Sequence, residues 1–427
     1  MKKIKTILKT VIILFLLISL MACNQTSSKK EFADYVDPHL GTSSSRWMLF
    51  PGPCLPFGMV KLSPDNTDEG LYKLGAGYEY KINSITGFGH VHSWMMGSFV
   101  TMPTTGELKI LPGTKDDPDS GYRSRINNEK TKAHAGYYSA YLEDYDIKAE
   151  LTATTRAGFQ RYSFSETDKG RVLIDLQGTE EEPPKIINAA IKKVSDTEIE
   201  GFIKREAGEW NEYTLYFVAQ FNRPFSSMGG WEGTNILEET DEIKVSEISD
   251  LGAFAEFDLS EDQTILLKTA ISYVSIDQAR LNLETEMDPF GWSFDKAHKN
   301  ARKVWNDLLG KIKVEGGTET DKLKFYTNLY RTYSSRTIFS DVNGKYVDMC
   351  ENVQQVKDFP VYGCDAFWGS FWNLNQLWSL VTPKMYEEWV NSLLELYDRG
   401  GWLPDAPGGL EYSSIMVAAH QVPFIVT

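Results

Sequence analysis

The chain has 427 residues and a formal net charge of −15. This length is enough for about two domains, each with its own core. The acidic excess argues against nucleic acid, and against an anionic membrane surface, because both repel a negatively charged protein. It selects no substrate, since acidity also keeps an exported protein soluble.

Residues 1–22 have the pattern of an export signal. Lysines precede an apolar run from Val11 to Leu20, which is too short to span a bilayer. Leu20-Met21-Ala22-Cys23, at the end of this run, matches a bacterial lipobox. We predict that Cys23 is lipidated as the mature N-terminus in the cell envelope, facing the periplasm or the cell surface, with residues 23–30 as a polar tether. The alternative is an ordinary cleaved signal with an incidental cysteine.

The other cysteines are Cys54, Cys350 and Cys364, and no two of them have the spacing of metal ligands. In an oxidising compartment Cys350 and Cys364 could form a disulfide. They could equally be buried free thiols. The sequence leaves both alternatives open.

Residues 31–275 have the pattern of β structure. Segments rich in β-branched and aromatic residues, such as Glu150–Phe164 and Tyr213–Phe221, are separated by glycine and proline turns. No long helical period interrupts them. This pattern predicts a large antiparallel β-sandwich domain.

After residue 275 the hydrophobic period becomes helical. A helix is predicted from Ser293, as its N-cap, to Ile312, and another from about Glu319. The last predicted helix begins near Ser413 and carries His420 and Pro423. We therefore predict a helical linker at residues 276–316 and a helical domain at residues 317–427.

The most distinctive stretch, residues 362–407, is rich in tryptophan. A helix is predicted from Pro383 to the glycine pair at residues 400–401, and Trp402 follows on a stiff loop. The helix has apolar positions three and four apart, at Tyr386, Trp389, Val390, Leu393, Leu394 and Tyr397. A tryptophan near Asp365 and Asp405 is typical of a sugar-binding pocket, because indole rings cover sugar C–H faces and carboxylates accept from hydroxyls. The alternative is a tryptophan-rich helical core.

Several blocks of sequence resemble glycoside hydrolase family 92, the calcium-dependent exo-α-mannosidases of bacteria. The order and spacing of the blocks indicate the family. The blocks are Phe50–Asn66 (FPGPCLPFGMVKLSPDN), Gly87–His92 (GFGHVH), Met102–Gly106 (MPTTG), the segment from Gly136-Tyr137-Tyr138 to Phe164, Phe325–Arg331, Phe339–Tyr346 and Gly400–Pro404.

The resemblance implies a fold and a reaction. The fold is an N-terminal β-sandwich, a helical linker and a C-terminal (α/α)6 barrel, of which this chain would contain the first part. The reaction is hydrolysis of terminal mannose from glycans with inversion, of α-1,2 type, by an acid and a base on opposite faces of the sugar. A calcium ion with oxygen ligands would hold the sugar's O2 and O3.

Two motifs depart from the family pattern. The family's Trp-Asp-Thr-Tyr-Arg motif aligns with residues 368–372, where Trp368 is kept, Gly369 replaces Asp and Trp372 replaces Arg. The family's Met-Ile-Gly-Asp-His pattern aligns with residues 416–420, where Ala419 replaces Asp. The lost carboxylate would contact hydroxyls of the terminal sugar, a role that Asp365 could take.

Four further residues are candidates for sugar contact. The resemblance places His90 and His92 where the sandwich meets the barrel, although they could instead be a structural pair. Zinc would need a third ligand that the sequence does not supply. Trp94 is a candidate pocket wall or a packed interdomain residue, and Trp368 is a candidate ligand contact or barrel core.

The resemblance places the catalytic carboxylates and the calcium ligands in the later half of the barrel. We therefore assign no catalytic or metal-binding residue in this chain. Since the sequence stops at Thr427 within an apolar pattern, we expect an N-terminal portion that is inactive alone. Other possible functions are a non-catalytic glycan-binding lipoprotein, and a related enzyme such as a disaccharide phosphorylase.

The lipobox generates the first prediction. Cys23→Ser should move the protein from the membrane fraction to the soluble fraction, because the lipid would no longer be attached. Detergent partitioning of the variant and the wild type measures this, with Cys54→Ser as the control. Equal partitioning of wild type and Cys23→Ser would contradict the lipoprotein prediction.

Overall fold

The fold is described from a computed structural model of the chain. The residues it describes are 30–44, 49–67, 76–93, 96–178, 186–207, 211–248, 251–363, 366–405, 407–408, 411–412 and 418–427. None of the helices in these ranges is both long enough and apolar enough to cross a membrane.

The first part of the described chain consists of strands joined by turns. In chain order they are β1 (Ser63–Asp65), β2 (Ser84–Ile85), β3 (Gly87–Gly89), β4 (Val100–Thr104), β5 (Ser124–Arg125), β6 (Lys132–His134), β7 (Tyr137–Leu142), β8 (Ile147–Ala153), β9 (Ala157–Phe164), β10 (Lys169–Asp175), β11 (Ile186–Ser195), β12 (Glu198–Ala207), β13 (Asn211–Phe221), β14 (Ser227–Glu232), β15 (Asn235–Leu237), β16 (Glu242–Ile248), β17 (Leu251–Asp258) and β18 (Thr264–Ser272). Strands β1-β3-β4-β10-β17-β14-β15 form a seven-stranded sheet. Strands β16-β11-β12-β13-β18-β9-β8-β7-β6 form a nine-stranded sheet.

The two sheets are antiparallel and face each other across a common core. Phe88 of β3 stacks on Tyr162 of β9, with ring centroids 6.2 Å apart. Phe217 of β13 lies 4.3 Å from Phe99, which precedes β4. Burying alternate residues of facing strands is what stabilises a sandwich. The predicted antiparallel β-sandwich is confirmed.

Two helices cover the outer face of the nine-stranded sheet. They are α1 (Ile276–Met287) and α2 (Phe294–Leu309), and the predicted N-cap of the second, Ser293, accepts from the backbone N–H of Lys296. Phe217 and its neighbour Val218 point to opposite faces of β13, so Val218 packs with Leu283 and Phe294 while Phe217 packs in the sandwich core. The linker therefore shares a core with the sandwich.

The second part of the described chain is mainly helical, as predicted. Its helices are α3 (Glu319–Ser334), α4 (Leu374–Val381), α5 (Pro383–Gly400) and α6 (Gln421–Val426). Its short strands are β19 (Thr337–Ile338), β20 (Lys345–Val347), β21 (Val353–Gln355), β22 (Tyr362–Gly363), β23 (Pro407–Gly408) and β24 (Glu411–Tyr412). Helix α5 ends where Gly401 adopts a φ of +84°, a left-handed conformation that glycine enters without strain.

Two details of the helical prediction are wrong. The last helix begins at Gln421 rather than near Ser413, and residues 413–417 lie outside the described ranges. Pro423 explains the late start, because proline fits the first turn of a helix but not its interior. On α5, Leu394 and Tyr397 are exposed, and the buried face runs through Tyr386, Trp389 and Leu393.

The segment that follows α3 joins the helical part to the sandwich. The Phe57 N–H donates to the Tyr333 carbonyl and the Ile338 N–H donates to the Phe57 carbonyl, each over 2.7 Å. The buried ammonium of Lys61 donates to Ser93 Oγ, the Ser335 carbonyl and Thr337 Oγ1 over 2.6–2.8 Å. These bonds attach residues 333–338 to the sandwich over their whole length.

Asp341 completes the junction by contacting both the last sandwich strand and the linker. Its carboxylate accepts from Ser272 Oγ (2.9 Å) in β18 and from Asn282 Nδ2 (2.7 Å) in α1. Asn282 also accepts from the Val342 N–H over 2.9 Å. Burial raises the pKa of Asp341 to about 6, although Arg156 and Lys345 oppose the shift.

This raised pKa predicts how stability depends on pH. Because the folded state holds the Asp341 proton more tightly than the unfolded state, whose pKa is about 3.9, the stabilisation is complete below about pH 4 and is lost as the pH rises through 6. Asp341→Asn keeps a neutral hydrogen-bonding group, so it should raise the free energy of unfolding at pH 7 by about 1–3 kcal/mol and leave it unchanged near pH 3.5.

Urea unfolding between pH 3.5 and pH 8 measures this dependence. Asp348→Asn is the matched control, because hydrogen bonds from its own loop lower the pKa of Asp348 despite its burial. That substitution should destabilise the protein at neutral pH. A destabilised Asp341→Asn at pH 7 would show that the junction requires the charged carboxylate.

Candidate functional site

The tryptophans of residues 362–407 divide into a buried pair and an exposed group. Trp378 of α4 and Trp389 of α5 are buried and stack with ring centroids 5.5 Å apart. Trp368, Trp372 and Trp402 are 47%, 76% and 62% exposed. The stretch therefore supplies part of the core and also exposed aromatic rings, and sugar binding by those rings stays a prediction.

A buried arginine, Arg336, packs against three buried aromatic rings of this stretch. The Arg336 guanidinium lies 4.5 Å from the centroid of Trp389 and 4.9 Å from those of Trp378 and Phe367. Cation–π contacts of this kind strengthen when they are withdrawn from water. Phe57, from the sandwich, packs edge-on against Trp378 and Trp389. Both halves of the protein therefore contribute to this cluster of buried rings.

A carboxylate–imidazole pair lies beside the aromatic surface. Asp405 is 1% exposed, and its Oδ1 accepts from the His420 N–H while its Oδ2 lies 3.0 Å from His420 Nδ1. The imidazole stacks on Phe371 with ring centroids 5.2 Å apart, and the side chain stays 22% exposed. The ring is thus fixed on one side and open on the other.

One backbone bond and one side-chain bond bring three loops together at this pair. The Phe367 N–H donates to the Asp405 carbonyl (3.0 Å), which ties the loop of Trp368 to that of Trp402. Gln421 Nε2 donates to the Leu403 carbonyl (3.1 Å), which adds the loop of His420. Three residues of chain span at most about 11 Å, so the Trp402 backbone lies within that distance of Asp405.

The structure places His90 and His92 elsewhere, inside the sandwich. His90 Nε2 lies 2.7 Å from Thr269 Oγ1, the ring stacks on Phe99, and burial lowers the pKa of His90 to about 3. His92 Nδ1 donates to the Lys61 carbonyl (2.6 Å), and its Nε2 lies 2.9 Å from Asp65 Oδ1. These contacts suit the structural alternative, and sugar contact by either histidine stays a prediction.

Other predicted residues are placed only in part. Asp365, Trp94 and the lipidation site Cys23 lie outside the described ranges, as does Cys364. Cys350 is a free, exposed thiol. Cys54 is a free, buried thiol whose pKa burial raises to about 11.

The described residues do not supply an evident metal site. Within the ranges given above, no group of three or more His, Cys, Asp or Glu side chains lies close enough together to hold an ion. Calcium prefers several oxygen ligands, and Asp405 is already bonded through both of its oxygens.

The sequence did not predict the pairing of Asp405 with His420. The two residues are 15 positions apart and meet through irregular loops, so no helical or strand period relates them. His420 was expected within a helix, and it in fact precedes α6. The only available signal was an acidic residue just after Trp402.

Comparison with known proteins identifies the family. Residues 35–272 match the glycosyl hydrolase family 92 N-terminal domain, and residues 278–427 match the family's catalytic domain. The chain therefore belongs to a family of glycosidases. That family is glycosyl hydrolase family 92, as the sequence blocks indicated.

Solved structures and a curated protein resemble the chain along most of its length. The GH92 α-mannosidase BT3965 of Bacteroides thetaiotaomicron is 28% identical with a TM-score of 0.85, covering 92% of this chain and 54% of that one. The inverting mannosidase BT2199 of the same organism is 24% identical with a TM-score of 0.80, covering 93% and 53%. An uncharacterized secreted glycosidase of Arthroderma benhamiae is 24% identical, covering 87% and 46%. The chain thus spans about half the length of these relatives.

The exposed tryptophans generate a prediction. In the whole protein, Trp402→Ala should lower kcat/KM for glycoside hydrolysis by about 1–3 kcal/mol of transition-state binding, because the sugar loses an aromatic contact. Trp292→Ala is the matched control, since Trp292 is also exposed but packs against Phe159 of the sandwich. Unchanged kinetics for Trp402→Ala would show that the indole has only a structural role.

Proposed function

We propose that the whole protein is an exo-acting α-mannosidase that removes terminal mannose from glycans with inversion, of α-1,2 type. The observation that carries the proposal is the exposed aromatic surface beside the Asp405–His420 pair, within the part that matches the family's catalytic domain. Rings that cover C–H faces, next to groups that bond hydroxyls, suit a sugar better than other small molecules.

The relatives support mannose as the sugar. BT3965 is named an α-mannosidase, and one of its structures is a complex with mannoimidazole. At 28% identity this resemblance extends to the fold and supports a shared substrate class. The finer specificity of this chain rests on its own residues.

Two departures from the family pattern shape that specificity. An added Cβ at Gly369 would meet no atom within 4 Å, so packing does not require glycine where the family has aspartate. Trp372 stands in place of an arginine and is 76% exposed. We infer that this end of the site offers the sugar more apolar surface and fewer charged contacts than the family pattern does.

Calcium dependence and the anchor are further parts of the proposal. The resemblance implies a calcium ion at the reacting sugar, and we assign no ligand for it among the described residues. The lipobox supports attachment through Cys23, at the periplasmic or outer surface of the envelope. The Arthroderma relative is described as a secreted glycosidase.

The proposed reaction predicts a defined product. The whole protein should hydrolyse p-nitrophenyl α-mannoside, and proton NMR should show β-mannose appearing first, because inversion converts an α-linkage to a β-product. EDTA should abolish turnover and calcium should restore it.

p-Nitrophenyl β-mannoside is the control substrate. α-Mannose as the first product would contradict inversion. A requirement for phosphate with release of a sugar phosphate would replace hydrolysis by phosphorolysis.

A further inference from the structure

His420 is held in a way that defines the chemistry of its outer nitrogen. The buried Asp405 carboxylate lies 3.0 Å from Nδ1 and also accepts from the His420 backbone N–H. A carboxylate at this distance makes Nδ1 the protonated nitrogen of the neutral ring. The other nitrogen, Nε2, is then a hydrogen-bond acceptor.

The second ring nitrogen of His420, Nε2, can accept a hydrogen bond from a ligand. Among the described residues, His420 Nε2 has no hydrogen-bond partner, and the side chain is partly open to solvent. The stacked Phe371 ring and the hydrogen bonds between the flanking loops hold the imidazole in place. A fixed acceptor that faces outward beside aromatic surface is suited to bind a donor on a ligand.

We propose that His420 is a specificity-determining residue whose Nε2 accepts a hydrogen bond from one hydroxyl of the bound sugar, with Asp405 as its positioning residue. The inference rests on the proposed function, because it assumes a sugar at the aromatic surface. A site built to bond a hydroxyl rejects an analogue that lacks it, since the acceptor is left unpaired. The pair therefore selects one hydroxyl rather than strengthening binding in general.

Binding of deoxy sugars tests the proposal. The affinities of the whole protein for methyl α-mannoside and for its 2-, 3-, 4- and 6-deoxy derivatives are measured by tryptophan fluorescence. Besides any weakening at the two hydroxyls that calcium would hold, the wild type should bind one derivative roughly 3- to 10-fold more weakly than the parent, because one neutral hydrogen bond to His420 is lost. In His420→Ala this difference should disappear, and the other ratios should stay the same.

Two further variants separate a specific role from a structural one. His420→Gln offers an amide oxygen at a similar reach and should recover part of the discrimination, while melting curves check that both variants fold. Asp405→Asn removes the charge that fixes the ring and should weaken the discrimination with little change for the other derivatives. His134→Ala, which removes an exposed sandwich histidine, should match the wild type.

Each contrary result has a distinct meaning. Discrimination that persists in folded His420→Ala would overturn this inference and leave the mannosidase proposal standing. His420-dependent discrimination with another monosaccharide, and no binding of mannosides, would support the inference and contradict the proposed substrate. Failure to bind any monosaccharide would overturn both.

Discussion

The attachment of residues 333–342 to the sandwich is the constraint on which the rest of the structure depends. These residues leave α3, bond through their backbone to Phe57, receive the buried Lys61 ammonium and end at Asp341, which bonds β18 and α1. Removing one member of a buried hydrogen-bonded network costs more than losing an apolar contact. The reason is that its partner groups stay buried with neither water nor a hydrogen bond. The sandwich and the helical part are therefore joined by polar bonds as well as by packing.

The candidate site depends on this attachment. Arg336 lies within the attached segment, and its guanidinium supports the rings of Phe367, Trp378 and Trp389. A backbone hydrogen bond from Phe367 to Asp405 joins the loop of Trp368 to the loop of Trp402. A binding site needs groups held within a fraction of an ångström, and elements on both sides of the junction support the candidate site.

Local chemistry made much of the fold predictable. Ser293 as a helix cap and Gly401 as a helix end act within one turn of chain, so their residue types alone define the boundaries. The residues of the candidate site were harder to predict, because the fold decides which aromatic side chains are exposed. Trp372 and Trp378 lie six residues apart in one aromatic run, yet one is exposed and the other is core. Asp405 and His420 meet only because distant loops bond to each other.

Arg336, next to the candidate site, and Asp341, at the junction of the two halves, respond differently to pH. A guanidinium stays charged at every physiological pH, and its contacts with rings deep in the protein are hardly weakened by salt. Asp341, only five residues away, titrates near pH 6. As the pH falls through 6, the contact between the two halves would strengthen, while the rings around Arg336 would keep the same arrangement. Acidity would therefore change how firmly the two halves are joined and leave the geometry of the candidate site unchanged.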